Sequence, residues 1–362
     1  MVNRIALTLS VLMATQAIAL PVWAQSPPVL ISQASSGNEQ LNDLLDEGRD
    51  LVAAGDYGAA LAVYQQAIAL EPDNARIYSG IGFAYANQGD YQEAAAAYEQ
   101  AIALESDNAD FYYALGYSQA NLGNYDAAAE AYRRTTQLSS DYSDAFLGLG
   151  VVLVRAERYD EALTALRQLQ SLRPNDSRAY EYQGVAYIQQ GQHQEAVAAL
   201  QQAVAITPRS DSYLNLGIAL VNLGNMPEAL TAFEEAIRRN SRNGRAHLQV
   251  GDIRRAQGDL TAAIAAYQQA TRVQPDMAEA YRLLGSALLE DENPLWASVA
   301  YRRYTELAPN DPDGFYGLGE ALIQRALSYD AVTVFETALD LYRQQDNADG
   351  IAKTEEILNT LQ

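Results

Sequence analysis

From position 41 onward the apolar residues recur with a helical period, and short polar turns interrupt them at regular intervals. Tyr78, Ile81, Gly82 and Tyr85 stand at i, i+3, i+4 and i+7, which is one face of a helix. A second stripe follows in Tyr91, Ala94, Tyr98, Ala101 and Ile102. In the turns between such stripes, Asp56, Asp90, Asn124, Asn225, Asp259 and Asn293 occupy equivalent places, where a side-chain oxygen caps the second helix. Asp90 with Glu93 and Asn225 with Glu228 are expected to form capping boxes. Pro227 and Pro294 fit the first helical turn, which tolerates a missing N–H. The pattern predicts helical hairpins, one after another.

The hairpins repeat. Glycine recurs at Gly48, Gly82, Gly116, Gly150, Gly184, Gly217, Gly251, Gly285 and Gly319, a spacing of 34 residues with a single 33. Twelve residues after each glycine stands an alanine, from Ala60 and Ala94 to Ala297 and Ala331. Twenty-four residues after it comes Pro72, Pro174, Pro208, Pro275 or Pro309, with Ser106, Ser140, Ser241 and Arg343 in the other units. These columns resemble the tetratricopeptide repeat, a helix-turn-helix unit of this length. The resemblance covers residues 41–345 as nine repeats, and implies an all-α, right-handed superhelical solenoid. One hairpin buries too little to be stable alone, so neighbours must stack and the last face needs a cap. Residues 346–362 read as that capping helix: Asn347 or Asp349 begins it, Ile351, Leu358 and Leu361 form its apolar stripe, and Lys353, Thr354, Glu355 and Glu356 form its polar outer face.

The start of the chain follows other rules. Residues 1–24 carry Arg4, an apolar run from Ile5 to Leu20, Pro21, and then Val22-Trp23-Ala24, with small residues where a signal peptidase requires them. This is a secretory signal, with cleavage expected after Ala24 and export to the periplasm or the extracellular space. The alternative is retention as a membrane anchor, the one route by which the protein would meet a membrane. Residues 25–40 hold two prolines and no helical period, and read as a flexible leader.

Composition then narrows the chemistry. The chain has 362 residues, a formal net charge of −22, no cysteine and two histidines. Disulfides, thiol nucleophiles and zinc ribbons are excluded. So acidic a chain lacks the basic track that nucleic acid needs. His193 and His247 sit in separate repeats at positions otherwise aromatic, so they read as packing residues and not as metal ligands or catalytic groups. Glu290-Asp291-Glu292 reads as a solvated turn. No catalytic set, cofactor site or metal cluster emerges, and the expected class is a binding protein.

The 24 tyrosines against 6 phenylalanines are largely scaffold. Sixteen fall at −4, +3, +9 or +16 from the glycine column, where a ring fills the hairpin and a hydroxyl reaches its edge. Recognition is sought at −3, +1 and +5 on each first helix, positions that point away from its partner. In the resembled family this face lines the concave groove that holds extended peptides or partner subunits. Here those columns supply Phe83, Tyr113, Tyr117, Leu147, Val151, Val185, Leu214 and Ile218, with Asn87, Asn121 and Asn222 as amide donors and acceptors, and Tyr316 further on. An apolar row where solvent is expected is a candidate interaction site; tight curvature, burying the same residues between neighbouring units, is the competing reading. The columns turn polar or charged at Asp252, Arg282, Ser286 and Glu320. Residues 41–142 (−12) and 278–362 (−9) are acidic, against −1 for 143–277, so the ends favour a basic partner. A carboxylate clamp of the co-chaperone kind is not expected, because Arg49 alone stands in such a column near the start. The leading expectation is an exported scaffold binding a protein segment or subunit. A glycan-handling module is the alternative, since tyrosines beside asparagines suit sugar faces.

Overall fold

The computed structural model describes residues 39–361. The signal segment 1–24 and nearly all of the leader lie outside the described residues. Two leader positions, Glu39 and Gln40, instead open the first helix. Among the described residues there are nineteen helices, which hold 81% of them, and there are no strands.

The chain divides into two compact units, one ending at Leu172 and the other beginning at Arg173. The first contains α1 (Glu39–Ala53), α2 (Tyr57–Leu70), α3 (Ala75–Gln88), α4 (Tyr91–Leu104), α5 (Ala109–Asn121), α6 (Tyr125–Leu138), α7 (Ser143–Arg155) and α8 (Tyr159–Leu172). The second contains α9 (Ser177–Gln189), α10 (His193–Ile206), α11 (Ser210–Asn222), α12 (Met226–Arg239), α13 (Gly244–Ala256) and α14 (Leu260–Val273). It continues with α15 (Ala278–Glu290), α16 (Pro294–Leu307), α17 (Pro312–Gln324), α18 (Ser328–Gln344) and α19 (Ala348–Leu361). Within each unit every odd-numbered helix up to α17 packs most heavily on the even-numbered helix after it. Consecutive odd helices also touch, at α1–α3, α3–α5 and α5–α7 in the first unit and at α9–α11 and α15–α17 in the second. The odd helices are therefore the tighter layer. Together these features make a tandem helical solenoid of the tetratricopeptide type.

The glycine column works differently from a simple helix contact. Each of these glycines receives the side chain that stands sixteen residues later, on the second helix of its own hairpin. A Cβ on Gly116 would lie 2.9 Å from the Tyr132 ring, and one on Gly148, in the next hairpin, 2.7 Å from the other end of that ring. Tyr132 is thus clamped between two helices that lack side chains where the ring sits. Leu166, Leu200, Phe233, Tyr267, Tyr301 and Phe335 fill the equivalent socket in later hairpins.

The other tyrosine slots are half-buried, and in several hairpins the one four residues before the glycine binds the preceding turn. Tyr78 donates its hydroxyl to the Pro72 carbonyl at 3.0 Å, Tyr112 to Ser106 at 3.2 Å and Tyr180 to Pro174 at 3.2 Å. His247 occupies the same slot, with Nε2 3.1 Å from the Ser241 carbonyl oxygen. The histidine substitutes for a tyrosine in both packing and hydrogen bonding.

Capping follows the sequence in part. Asp56, Asn225 and Asp259 accept from the backbone N–H three residues on, at 3.1, 3.4 and 3.0 Å. Asp90, Asn124 and Asn293 make no side-chain cap, so the Asp90–Glu93 box does not form. Asn124 turns its amide to Gln119 Oε1 instead, at 2.9 Å. Asn74, Asn108, Asp176, Asn243 and Asp311 cap the odd helices, a second capping column. The turns themselves depend on one left-handed residue, seven places after the column glycine. It is glycine at Gly55, Gly89, Gly123, Gly191, Gly224 and Gly258, but Glu157, Glu292 and Ala326 adopt the same conformation without that freedom.

Helix α19 closes the second unit, but its faces differ from the sequence expectation. Asn347 Oδ1 accepts from the Gly350 N–H at 2.9 Å and starts the helix. Leu358 is buried, and Ile351, Ile357 and Leu361 pack on a core that includes Phe335 and Leu322. Thr354, placed by its polarity on the outer face, is fully buried, with Oγ1 donating to the Gly350 carbonyl at 2.6 Å. Its hydroxyl is satisfied within the helix, so burial costs little. Lys353 is half-buried at the edge of this face, and Glu355 and Glu356 are exposed as the sequence predicts.

Candidate functional site

The odd-helix columns hold two populations. In the first unit, Phe83 on α3 and Tyr117 on α5 are half-buried, and Phe83 packs against the core that includes Leu45 and Tyr64. Tyr117 meets Tyr91 edge-on, with ring centroids 6.0 Å apart at 75°. Burial, with Tyr91 beside it, pushes the Tyr117 phenol up to about 12, so the hydroxyl is a neutral donor across the physiological range. Asn87 and Asn121 stand one helical turn further on. Their Nδ2 groups donate back to the Phe83 and Tyr117 carbonyls at 2.8 and 2.9 Å. Each amide is held against the residue it follows and keeps its Oδ1 for an incoming donor.

The remaining first-unit members of the apolar row belong to the core. Leu147 is fully buried, Val151 nearly so, and Tyr113 is 7% exposed. The Tyr113 ring lies 5.0 Å from Tyr142, stacked at 25°, and 5.6 Å from Tyr132. Tyr142 in turn donates to Asp110 at 2.9 Å. These residues cannot offer an open wall, because they are packed into the core, Tyr113 under Tyr132 of α6 and Tyr142 at the entry to α7. Arg49 is engaged with Asp46 at 2.8 Å.

In the second unit Val185, Ile218 and Asn222 are half-buried and Leu214 is buried. Beside and beyond them the columns carry partly buried charge. Ser212 donates to Glu181 at 2.8 Å, and burial raises the Glu181 carboxyl above its ordinary range. Tyr267 donates to Asp252 at 2.8 Å. Burial still dominates there and pushes Asp252 up to about 6, with nearby Glu279 adding to the rise and Arg255 and Arg282 opposing it. Arg255 reaches Ser286 at 2.9 Å and Glu290 at 2.8 Å, so that acidic turn is partly tied down. Glu320 is likewise raised by burial. Tyr316 is taken up by the cap: its ring packs edge-on to Phe335, and Lys353 Nζ sits 4.1 Å over its face. The same ammonium is 4.9 Å from the Tyr342 ring and 3.5 Å from Asp313.

The structure therefore joins Phe83, Tyr117, Asn87 and Asn121 on one layer of the first unit. It assigns Tyr113, Leu147, Val151 and Leu214 to packing and Tyr316 to the cap. Among the described residues, no group of three or more His, Asp or Glu converges as a metal site, and no helix is long and apolar enough to cross a membrane.

Comparison with known proteins places these features. The family profile described as the C-terminal domain of cilia and flagella-associated protein 70 matches residues 10–249, more than half of the chain, and a tetratricopeptide repeat profile matches residues 251–291. A tetratricopeptide repeat protein from Parabacteroides merdae aligns with a TM-score of 0.54 and 18% identity, over 69% of this chain and 100% of that one, a likeness of fold. PilF of Pseudomonas aeruginosa aligns with a TM-score of 0.48 and 20% identity, over 56% and 92% of the two chains. YrrB, described as a tetratricopeptide protein with an unusual peptide-binding site, gives 0.45 and 24%, over 51% and 95%. No curated protein matches the sequence.

Proposed function

The chain belongs to the family of the cilia and flagella-associated protein 70 C-terminal domain and is built of tetratricopeptide repeats, and on that premise we propose that it is a non-enzymatic scaffold that holds an extended segment of a partner protein on the odd-helix layer of its first unit. The observation that carries this reading is the pair of aromatics left only half-buried on the odd-helix layer, Phe83 and Tyr117, each followed by an asparagine anchored to its carbonyl. Rings supply apolar anchors, and fixed amide oxygens accept from a peptide backbone, with little side-chain entropy left to lose on binding.

A photoreactive residue in place of Tyr117 is expected to crosslink a discrete protein in cells. Tyr117→Ala combined with Asn121→Ala is expected to abolish capture of that protein while helicity stays unchanged. Identical captured partners from wild type and the double variant would refute the proposal, and so would recovery of a polysaccharide in place of a protein.

The proposal includes nine repeats between residues 41 and 345 and export by the N-terminal segment. Arg4, the apolar run and Val22-Trp23-Ala24 support export. Sequencing the N-terminus of the protein isolated from its native cells is expected to begin at Gln25; a chain that retains residues 1–24 would point to an anchor.

A further inference from the structure

One patch breaks the repeat pattern on the opposite layer. On α16, Leu295, Trp296 and Val299 are 51%, 59% and 52% exposed. They share one side of the helix, while Ala297, Ala300 and Tyr301 bury the other. The equivalent positions are Asp126, Ala127 and Glu130 on α6, and Asp160, Glu161 and Thr164 on α8. Throughout the array these positions are small or polar, save for Tyr329, which falls at the start of α18 and is 87% exposed. The turn leading into α18 touches α16 directly, since Arg325 Nη1 donates to Ser298 Oγ at 2.9 Å. In the first unit Arg158, at the start of α8, reaches Asp126 at the start of α6 at 3.0 Å. By the same relation Leu327, at the position equivalent to Arg158, falls toward Leu295, at the position equivalent to Asp126, and Tyr329 follows two residues later. Where the first unit has an ion pair, the second has apolar side chains.

Packing does not explain these residues, because their own helix buries its other side. The surroundings indicate what covers them. Asp291 and Glu292 are exposed in the turn entering α16, and Asp330 follows Tyr329. One cation borders the patch, Arg325, whose guanidinium is held on Ser298 Oγ at 2.9 Å; toward the far end of α16 Arg303 is paired with Glu306 at 2.8 Å and Arg302 is exposed. Residues 278–362 carry a net −9.

We propose that this patch docks a cationic, apolar-anchored segment of a partner protein: Trp296 with Leu295, Val299 and Tyr329 receives the apolar side chains, and Asp291, Glu292 and Asp330 meet flanking Lys or Arg. Tryptophan is the side chain most enriched at such anchors, and rim carboxylates select sign and speed association. The site lies on a different layer and in a different unit from Phe83 and Tyr117, so the two stand or fall separately.

The test uses the indole itself. Two helical peptides serve as probes, one of leucine and lysine and one with glutamate for every lysine. The lysine peptide is expected to shift Trp296 emission to the blue, with the signal assigned by its loss in Trp296→Phe. Trp296→Ala is expected to weaken binding of a labelled lysine peptide at least about tenfold, with circular dichroism unchanged and Tyr117→Ala without effect. Asp291→Asn with Glu292→Gln and Asp330→Asn is expected to flatten its salt dependence. Equal binding of both peptides, or unchanged affinity in Trp296→Ala, overturns the proposal. It is also overturned by a dimer that Trp296→Ala dissociates, which gives the patch to a second copy, or by a blue shift with phosphatidylcholine vesicles and not with the lysine peptide.

Discussion

Replacing Tyr132 by alanine is expected to lower the stability of the first unit by about 3–5 kcal/mol, as for other fully buried aromatic side chains cut back to a methyl. The ring is 2% exposed and stands between Gly116 and Gly148, with Tyr113 5.6 Å away. Two glycines cannot reach into the space it leaves, and the backbones carrying them are held by their own helices. Tyr132→Phe is expected to cost far less, because Phe233 and Phe335 fill the same socket in other hairpins. Urea denaturation followed by circular dichroism measures both. A loss under about 1 kcal/mol in Tyr132→Ala would show that the helices close over the gap.

Asp252→Asn is expected to do the reverse. The carboxyl is raised in the folded chain from 3.8 to about 6, chiefly by burial. Because the folded value lies above the unfolded one, the native state holds the proton more tightly, and ionising the group opposes folding. That penalty is fully present above pH 6, shrinks as pH falls, and is gone below about pH 4. At about 1.4 kcal/mol per unit it amounts to about 2–3 kcal/mol at pH 8. Asparagine keeps an oxygen to accept from Tyr267, so the variant should gain most of that amount at pH 8 and lose its advantage on acidification. Glu181 and Glu320 are raised in the same direction, so wild type should itself gain stability between pH 7 and pH 5. Denaturation curves at unit pH steps from 4 to 8 decide the matter. Parallel wild-type and variant curves across that window would mean that Asp252 is not buried as a charge.

Much of the architecture was legible before any coordinates. The 34-residue spacing of Gly48 through Gly319 and the alanine column pointed to tandem helical hairpins, because these positions answer to contacts within one hairpin and its neighbour, which recur along the chain. The +16 tyrosines could be placed in the core on the same ground. The candidate surface was read less well. Phe83 and Tyr117 remain partly open, whereas Tyr113, Leu147, Val151 and Leu214 share their columns and are covered. Sequence register gives the direction in which a side chain leaves its helix, but not how closely the next odd helix approaches. Thr354 lies inside for a related reason: a threonine that bonds its own helix satisfies its polarity while buried. Trp296 was visible all along as an aromatic in a column of small and polar residues.

The amino-acid sequence by itself determined the period, the hairpin, the socket for the +16 side chain and the acidic balance of the two ends, since each follows from local geometry or simple counting. Only the tertiary structure decided which inward residues stay open, that Tyr316 belongs to the cap, and that carboxylates such as Asp252 sit partly buried beside paired charges. Those outcomes depend on spacing between helices that are not neighbours in the chain. A few ångströms there separate a groove from a core, and no single repeat encodes them.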